Sequence, residues 1–169
     1  MHWRLLTVFL WMGFTAVAAP SDSITVYLFL REDCVICQQY TPQLERLAAE
    51  CGGKGVHFFG VFPNASSSPE LIAEFAEKYG LTFPLETDPD QTLTHRFGVT
   101  ITPEVVVYDH RLGQVLYTGR IDDRYVKVGK RRRHVQTSEL EDALKAIRSG
   151  QPVAIREAPA TGCLITLLE

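Results

Sequence analysis

Methionine is almost absent from this chain. Of 169 residues only Met1 and Met12 are methionine, both within the first eighteen positions. Beyond them no thioether is available to a soft metal ion. The histidines are equally unhelpful to a metal. His2 lies at the start, and His57, His95, His110 and His134 are scattered with no H-x₃₋₅-H spacing. A structural zinc site needs a second Cys or His pair, and none is present. Positive charge is not in excess either. The net charge is −3, which argues against general nucleic-acid binding. There are no internal repeats and no low-complexity tract.

What is present begins with a leader. Met1 to Arg4 is short and carries one positive charge, and Leu5 to Val17 is apolar apart from Thr7, Gly13 and Thr15. Ala16-Val17-Ala18 then has the small-x-small form of a cleavage site. Residues 1–18 are laid out as a secretory signal peptide, cleaved near Ala18. The alternative is an uncleaved anchor, although the run is shorter than the ~20 residues that span a bilayer. This predicts a periplasmic or secreted protein with no stable membrane insertion after cleavage. Without residues 1–18 the basic residues fall to 16 against 20 acids, a charge of −4. About 150 residues remain, enough for one domain with a core.

The chemistry sits in Arg31-Glu32-Asp33-Cys34-Val35-Ile36-Cys37. An apolar β-type run, Ile24 to Leu30, leads in, and a helical pattern of Tyr40, Leu44 and Leu47 leads out. Two cysteines therefore stand where a strand hands over to a helix N-terminus. The free N–H groups and the helix dipole there favour a thiolate, the nucleophilic form of cysteine. Cys34 is placed to attack and Cys37, one turn on, to close a ring with it. A zinc half-site, an inert buried pair, and a copper-binding or copper-delivery module using both sulfurs are the competing readings.

The rest of the chain alternates. Val56 to Phe62 is a second buried-type strand. Ser68-Pro69 opens a helix with Leu71, Ile72, Phe75 and Tyr79 facing inward and Gly80 ending it. Phe83 to Glu86 is a short strand candidate. Asp88-Pro89-Asp90-Gln91 starts a short helix, with Gln91 placed to complete a capping box. Val105 to Tyr108 and Gln114 to Thr118 form a hairpin. Gly119 to Val135 is irregular and charged. Ser138-Glu139-Leu140-Glu141 opens a last helix, also by a capping box, lined by Leu140, Leu144 and Ile147. Cys51-Gly52-Gly53 stops the first helix, with glycine available for a left-handed cap. The order β-α-β-α-(β)-α-β-β-α implies a mixed sheet covered on both faces. The domain is read as 19–150, with 151–169 a tail packing on or near it.

These features together resemble the thioredoxin-like superfamily, and within it the exported redoxin or TlpA/ResA-like thiol–disulfide oxidoreductases. The residues that carry the resemblance are Cys34-Val35-Ile36-Cys37 after a strand, Pro42 five residues beyond Cys37, Thr102-Pro103 before a hairpin, and a final amphipathic helix. The segment from Ser68 to Gly98 resembles the α-(β)-α insertion of the redoxin branch. The resemblance implies an α/β thioredoxin-like fold and a cis Thr102–Pro103 bond. It implies catalysis by Cys34 and Cys37 on protein disulfides, with Thr102 and Pro103 shaping the substrate groove. The expected partners are a protein disulfide or dithiol and an upstream redox protein. No cofactor is called for.

Departures qualify the resemblance. Val35-Ile36 replaces the Gly-Pro or Pro-His of relatives, and no tryptophan precedes Cys34. The buried acid of thioredoxins aligns with Leu28. Glu32 and Asp33 are nearby acids that would oppose the helix dipole. They predict a Cys34 pKa nearer ~7 than ~3.5, and Glu32 is a candidate to move a proton for Cys37. Peroxiredoxins share the fold but need Thr or Ser three residues before the reactive cysteine and Pro four before that, where this chain has Arg31 and Tyr27. Cys51 and Cys163 are left over. The simplest pairing joins them in a structural disulfide. The alternative folds the tail back and makes Cys163 a third thiol near Cys34. The Lys130-Arg131-Arg132-Arg133 cluster within 127–134 is either solvated or a docking surface for an acidic partner or anionic lipid.

Overall fold

The structure is a computed structural model that describes residues 24–52 and 55–168. The leader expected at 1–18 lies outside the described residues. Among the described residues no helix is long and apolar enough to cross a membrane.

The first described strand lies in the middle of the sheet. Strand β1, Ile24–Phe29, is nearly all apolar, so it is covered on both faces and pairs on both edges. On one side it runs parallel to β2, Val56–Phe62, and beyond that lies β3, Leu85–Thr87, also parallel. On the other it runs antiparallel to β5, Glu104–Asp109, which turns back as β6, Gln114–Gly119. The outer edge is β9, Glu157–Ala158, parallel to β6, which completes the order β3-β2-β1-β5-β6-β9. The sheet thus takes an edge strand from beyond Gly150, the domain boundary read from the sequence.

Alternation along β1 sorts the core into two layers. Val26 and Leu28 face a large cluster with Tyr40, Leu44 and Leu47 of helix α1, Val35–Cys51. Ile72 and Phe75 of α2, Pro69–Tyr79, and Leu140 and Leu144 of α4, Glu139–Arg148, join them. Phe29, Val61, Val99 and Val106 face the other way, against Leu93 and Phe97 of α3, Thr92–Phe97. Helices therefore cover both faces, as the element order implied.

Several local expectations need correction. Leu71 points out and is 46% exposed; the α2 stripe that turns inward is Ile72 and Phe75. Gly52, at φ −55°, does not form a left-handed cap. Gln91 does not cap α3 with its side chain. Asp88 does so instead, accepting from the Leu93 and Thr94 amides at 3.3 and 2.9 Å. Ser138 makes no side-chain cap bond. Residues 119–135 are not wholly irregular. Strands β7, Tyr125–Lys127, and β8, Lys130–Arg131, form a small hairpin, and Ile121, Asp122 and Asp123 before it are buried.

Candidate active site

Cys34 is the N-cap residue of α1, reached directly from the end of β1. Its backbone is extended (φ −82°, ψ 108°), so its sulfur faces the free amides of the first turn, those of Ile36 and Cys37. Cys37 sits one turn inside, with no exposure. Its thiol donates toward Cys34, and this hydrogen bond is the largest cause drawing the Cys34 pKa down to about 5. Burial works against the thiolate, and a second thiol donor, Cys163, works for it. The same interaction, added to burial as the larger cause, pushes the Cys37 thiol far up. One sulfur is prepared as a thiolate and the other is held as a thiol.

The acids expected to raise the Cys34 pKa are occupied elsewhere. Arg31 holds the Asp33 carboxylate through both of its oxygens, at 2.5 and 2.7 Å, and keeps its pKa low. Glu32 accepts the Ser67 hydroxyl at 2.9 Å. Cys37's thiol is pushed up by burial and then by Cys34, with the Arg31 backbone and Thr102 working the other way. The Cys34 pKa therefore falls below the thioredoxin range expected from the sequence.

Thr102 and Pro103 lie at the same end of the sheet, because β5 begins at Glu104 opposite Phe29, the last residue of β1. Strand β4, Ile101–Thr102, ends at a cis Thr102–Pro103 bond. The Thr102 carbonyl lies 3.5 Å from Cys34 Sγ, and its hydroxyl faces the Cys37 sulfur. All four residues expected at the site are thus brought together.

The structure adds a fifth. The tail returns as β10, Cys163–Leu164, antiparallel to β4, with Cys163 opposite Thr102. Cys163 Sγ is 2.9 Å from Cys34 Sγ, outside the ~2.05 Å of a disulfide. Cys51, by contrast, is buried at the far end of α1, and all four cysteines are free thiols. The Cys51–Cys163 pairing is overturned: the ends of α1 separate the two, and Cys163 belongs with Cys34. Burial, then the neighbouring Cys34 sulfur, raises the Cys163 pKa to about 11.

Beside the sulfurs runs a groove of about 410 Å³, lined by Val35, Ile36, Gln39, Tyr125, Val128 and Arg131 among others. Its far wall is the β7–β8 hairpin. A buried network ties that hairpin to α1. Tyr40 donates to Asp122, Arg124 reaches Gln43 at 2.7 Å and stacks on the Tyr40 ring, and the Tyr125 hydroxyl donates to Gln39. Sequence reasoning missed this wall. The available signal was the pair of apolar residues, Ile121 and Tyr125, set among the charges. Among the described residues no group of three His, Cys, Asp or Glu side chains is arranged to hold a metal.

Comparison with known proteins fits this geometry. A match to the AhpC/TSA family covers residues 15–118. The chain belongs to the AhpC/TSA family. It is also 27% identical over 97 residues to a protein named thiol-disulfide oxidoreductase ResA of Halalkalibacterium halodurans. That match takes in 56% of this chain and 53% of the relative, so the chain spans about half of the curated relative's length. Among solved structures, an uncharacterized conserved protein of Geobacillus kaustophilus superposes with a TM-score of 0.74 at 27% identity. The superposition covers 87% of this chain and 78% of that one. A hypothetical protein of Sinorhizobium meliloti 1021 gives 0.75 at 24% identity, over 88% and 82%. The fold is thioredoxin-like, a mixed sheet between helices with the cysteine pair at the N-terminus of α1.

Proposed function

We propose that this family member is an exported thiol–disulfide oxidoreductase acting on protein disulfides, with Cys34 as nucleophile and Cys37 as resolving thiol. The observation that carries the reading is the setting of Cys34. It is a helix N-cap sulfur with a lowered pKa, in contact with a buried thiol one turn away and with Thr102 before a cis proline. In the reductive direction the Cys34 thiolate attacks one sulfur of a substrate disulfide and expels the other as a thiolate. Cys37, losing its proton, then attacks Cys34 and releases the reduced substrate, which leaves a Cys34–Cys37 disulfide. An upstream dithiol returns the pair to its starting state. The apolar groove beside Val35 and Ile36 suits a substrate chain, and the leader supports export. Against a peroxidase, the position three residues before Cys34 is Arg31, whose guanidinium is committed to Asp33. The exposed Lys127–His134 segment on the groove's outer wall suits an acidic partner.

The test is the reduction potential of the pair in glutathione buffers, together with capture of partners by Cys37→Ala. A potential near about −270 mV indicates a reductant and one near about −120 mV an oxidant. A pair that neither cycles nor traps a protein disulfide overturns the reading.

A further inference from the structure

The oxidoreductase reading uses two sulfurs, yet three meet at this site. The third is delivered with care. Strand β10 pairs in register with β4, and beyond it the Ile165 amide donates to the Thr100 carbonyl at 2.9 Å. Ile165 packs against the Phe29 cluster on the far face of the sheet. The end of the tail is then clamped by Gln91. Its fully buried side chain donates to the Pro63 and Thr166 carbonyls at 3.1 and 2.8 Å and accepts the Leu168 amide at 2.8 Å. At the other end the close approach of Gly162 to Thr102 admits no side chain. A Cβ there would stand 2.0 Å from the Thr102 carbonyl oxygen. The tail thus lies along the strand edge beside the cis proline, the edge where an extended substrate chain would add itself.

We propose that residues 162–166 are a tethered substrate strand and that Cys163 is a third redox-active thiol, exchanging with the Cys34–Cys37 disulfide. This rests on the reading of Cys34 and Cys37 as the redox pair. In the step, the Cys163 thiol loses its proton and its sulfur attacks Cys34 Sγ. The Cys34–Cys37 bond breaks as the Cys34–Cys163 bond forms, and Cys37 leaves as a thiolate that takes up a proton. One disulfide is exchanged for another, so no outside oxidant or reductant is consumed. When Cys34 is in a disulfide its negative charge is gone, which removes two of the causes that hold Cys163 protonated. The exchange frees Cys37 in its buried position and closes the strand edge to outside chains. A substrate must displace the tail to reach Cys34.

The experiment oxidises the full chain in glutathione buffers, quenches with acid and maps disulfides in non-reduced peptides. The unsubstituted chain is expected to yield both Cys34–Cys37 and Cys34–Cys163 peptides. Cys37→Ala is expected to carry Cys34–Cys163 in roughly half or more of its molecules, the equilibrium share of a favoured thiol partner. Cys163→Ser should yield only the Cys34–Cys37 peptide. The proposal is overturned if Cys37→Ala leaves Cys163 free while Cys34 is free or glutathionylated, in a buffer that closes Cys34–Cys37 in the unsubstituted chain. Should Cys37→Ala fail to fold, the unsubstituted chain decides alone: absence of the Cys34–Cys163 peptide at every time and potential rejects the third thiol. Failure of Cys34–Cys37 to close at any potential would instead reject the redox pair.

Discussion

Two thiols donate to the Cys34 sulfur and two backbone amides face it, so its charge is a property of the site. The sign of its pH dependence follows. An unfolded cysteine titrates near ~8.5, and folding brings Cys34 down to about 5. The thiolate therefore stabilises the reduced folded chain above ~8.5, and this contribution is lost progressively as pH falls to about 5. The oxidised chain has no such group. The melting-temperature advantage of reduced over oxidised protein should accordingly shrink as pH is lowered from 7 towards 5, and thiolate absorbance should titrate in the same window. An absorbance midpoint above 7 would refute the assignment. Cys51 belongs to the same scale and behaves differently. It is a buried, free thiol in the core under α1. Cys51→Ala should cost about 1–2 kcal/mol of stability through the small cavity left behind, and leave the reduction potential unchanged.

Among the elements, the tail strand is short, two residues paired with β4, and is held at its ends by Gly162 and by the Gln91 clamp. Two single substitutions act on its two ends. Gln91→Ala strands the Pro63 and Thr166 carbonyls and the Leu168 amide, at a cost of about 1–3 kcal/mol in urea unfolding. Gly162→Ala drives a Cβ into the Thr102 carbonyl and should lift β10 from β4. In both variants Cys163 should alkylate faster than in the unsubstituted chain, with Cys37 still protected. Equal alkylation rates would mean that neither contact holds the strand. Much of this could not be read from the chain. Gln91 follows Asp88 by three residues, the spacing of a capping box, and nothing local says that its side chain is turned to a segment some 75 positions away. The α2 boundaries were legible, because Ser68, Pro69 and Gly80 act on their own neighbours, and the Ser68 hydroxyl does accept the Leu71 amide at 3.3 Å.

For the whole molecule, residues 151–168 are part of the fold, since they supply β9 and β10. Ending the chain after Gly150 removes β9 and bares the β6 edge, where Gly119 and Ala158 approach so closely that a Cβ on Gly119 would meet the Ala158 oxygen at 1.8 Å. Such a truncation should lower the melting temperature and promote aggregation through the open edge. Ending it after Ala160 keeps β9 and removes β10 together with the Ile165 packing and the Gln91 clamp. That shorter loss should leave stability closer to the full chain while exposing Cys34 to peptide disulfides. Comparison of the two truncations by thermal unfolding and by rate of mixed-disulfide formation separates the structural part of the tail from the part that covers the site.

Apart from the thioredoxin-like layout and the proline beside the site, which a family resemblance implied, the sequence by itself determined the alternation of strands and helices and the cysteine pair at a helix mouth. Each of these is written in neighbouring residues: an apolar run, a 3.6-residue stripe, a cap, a two-residue spacing between sulfurs. Only the tertiary structure decided the company of Cys34. Cys163 is 129 positions away and reaches it because β10 pairs with β4. Strand pairing between distant segments leaves little local trace in so short a strand, since two residues are too few to set a pattern. The structure also turned Asp33 to Arg31 and Glu32 to Ser67, and it is the Cys37 thiol first, with Cys163 and two backbone amides, that draws the Cys34 pKa down. Proximity in sequence gave the acids their apparent importance, and the direction of their side chains removed it.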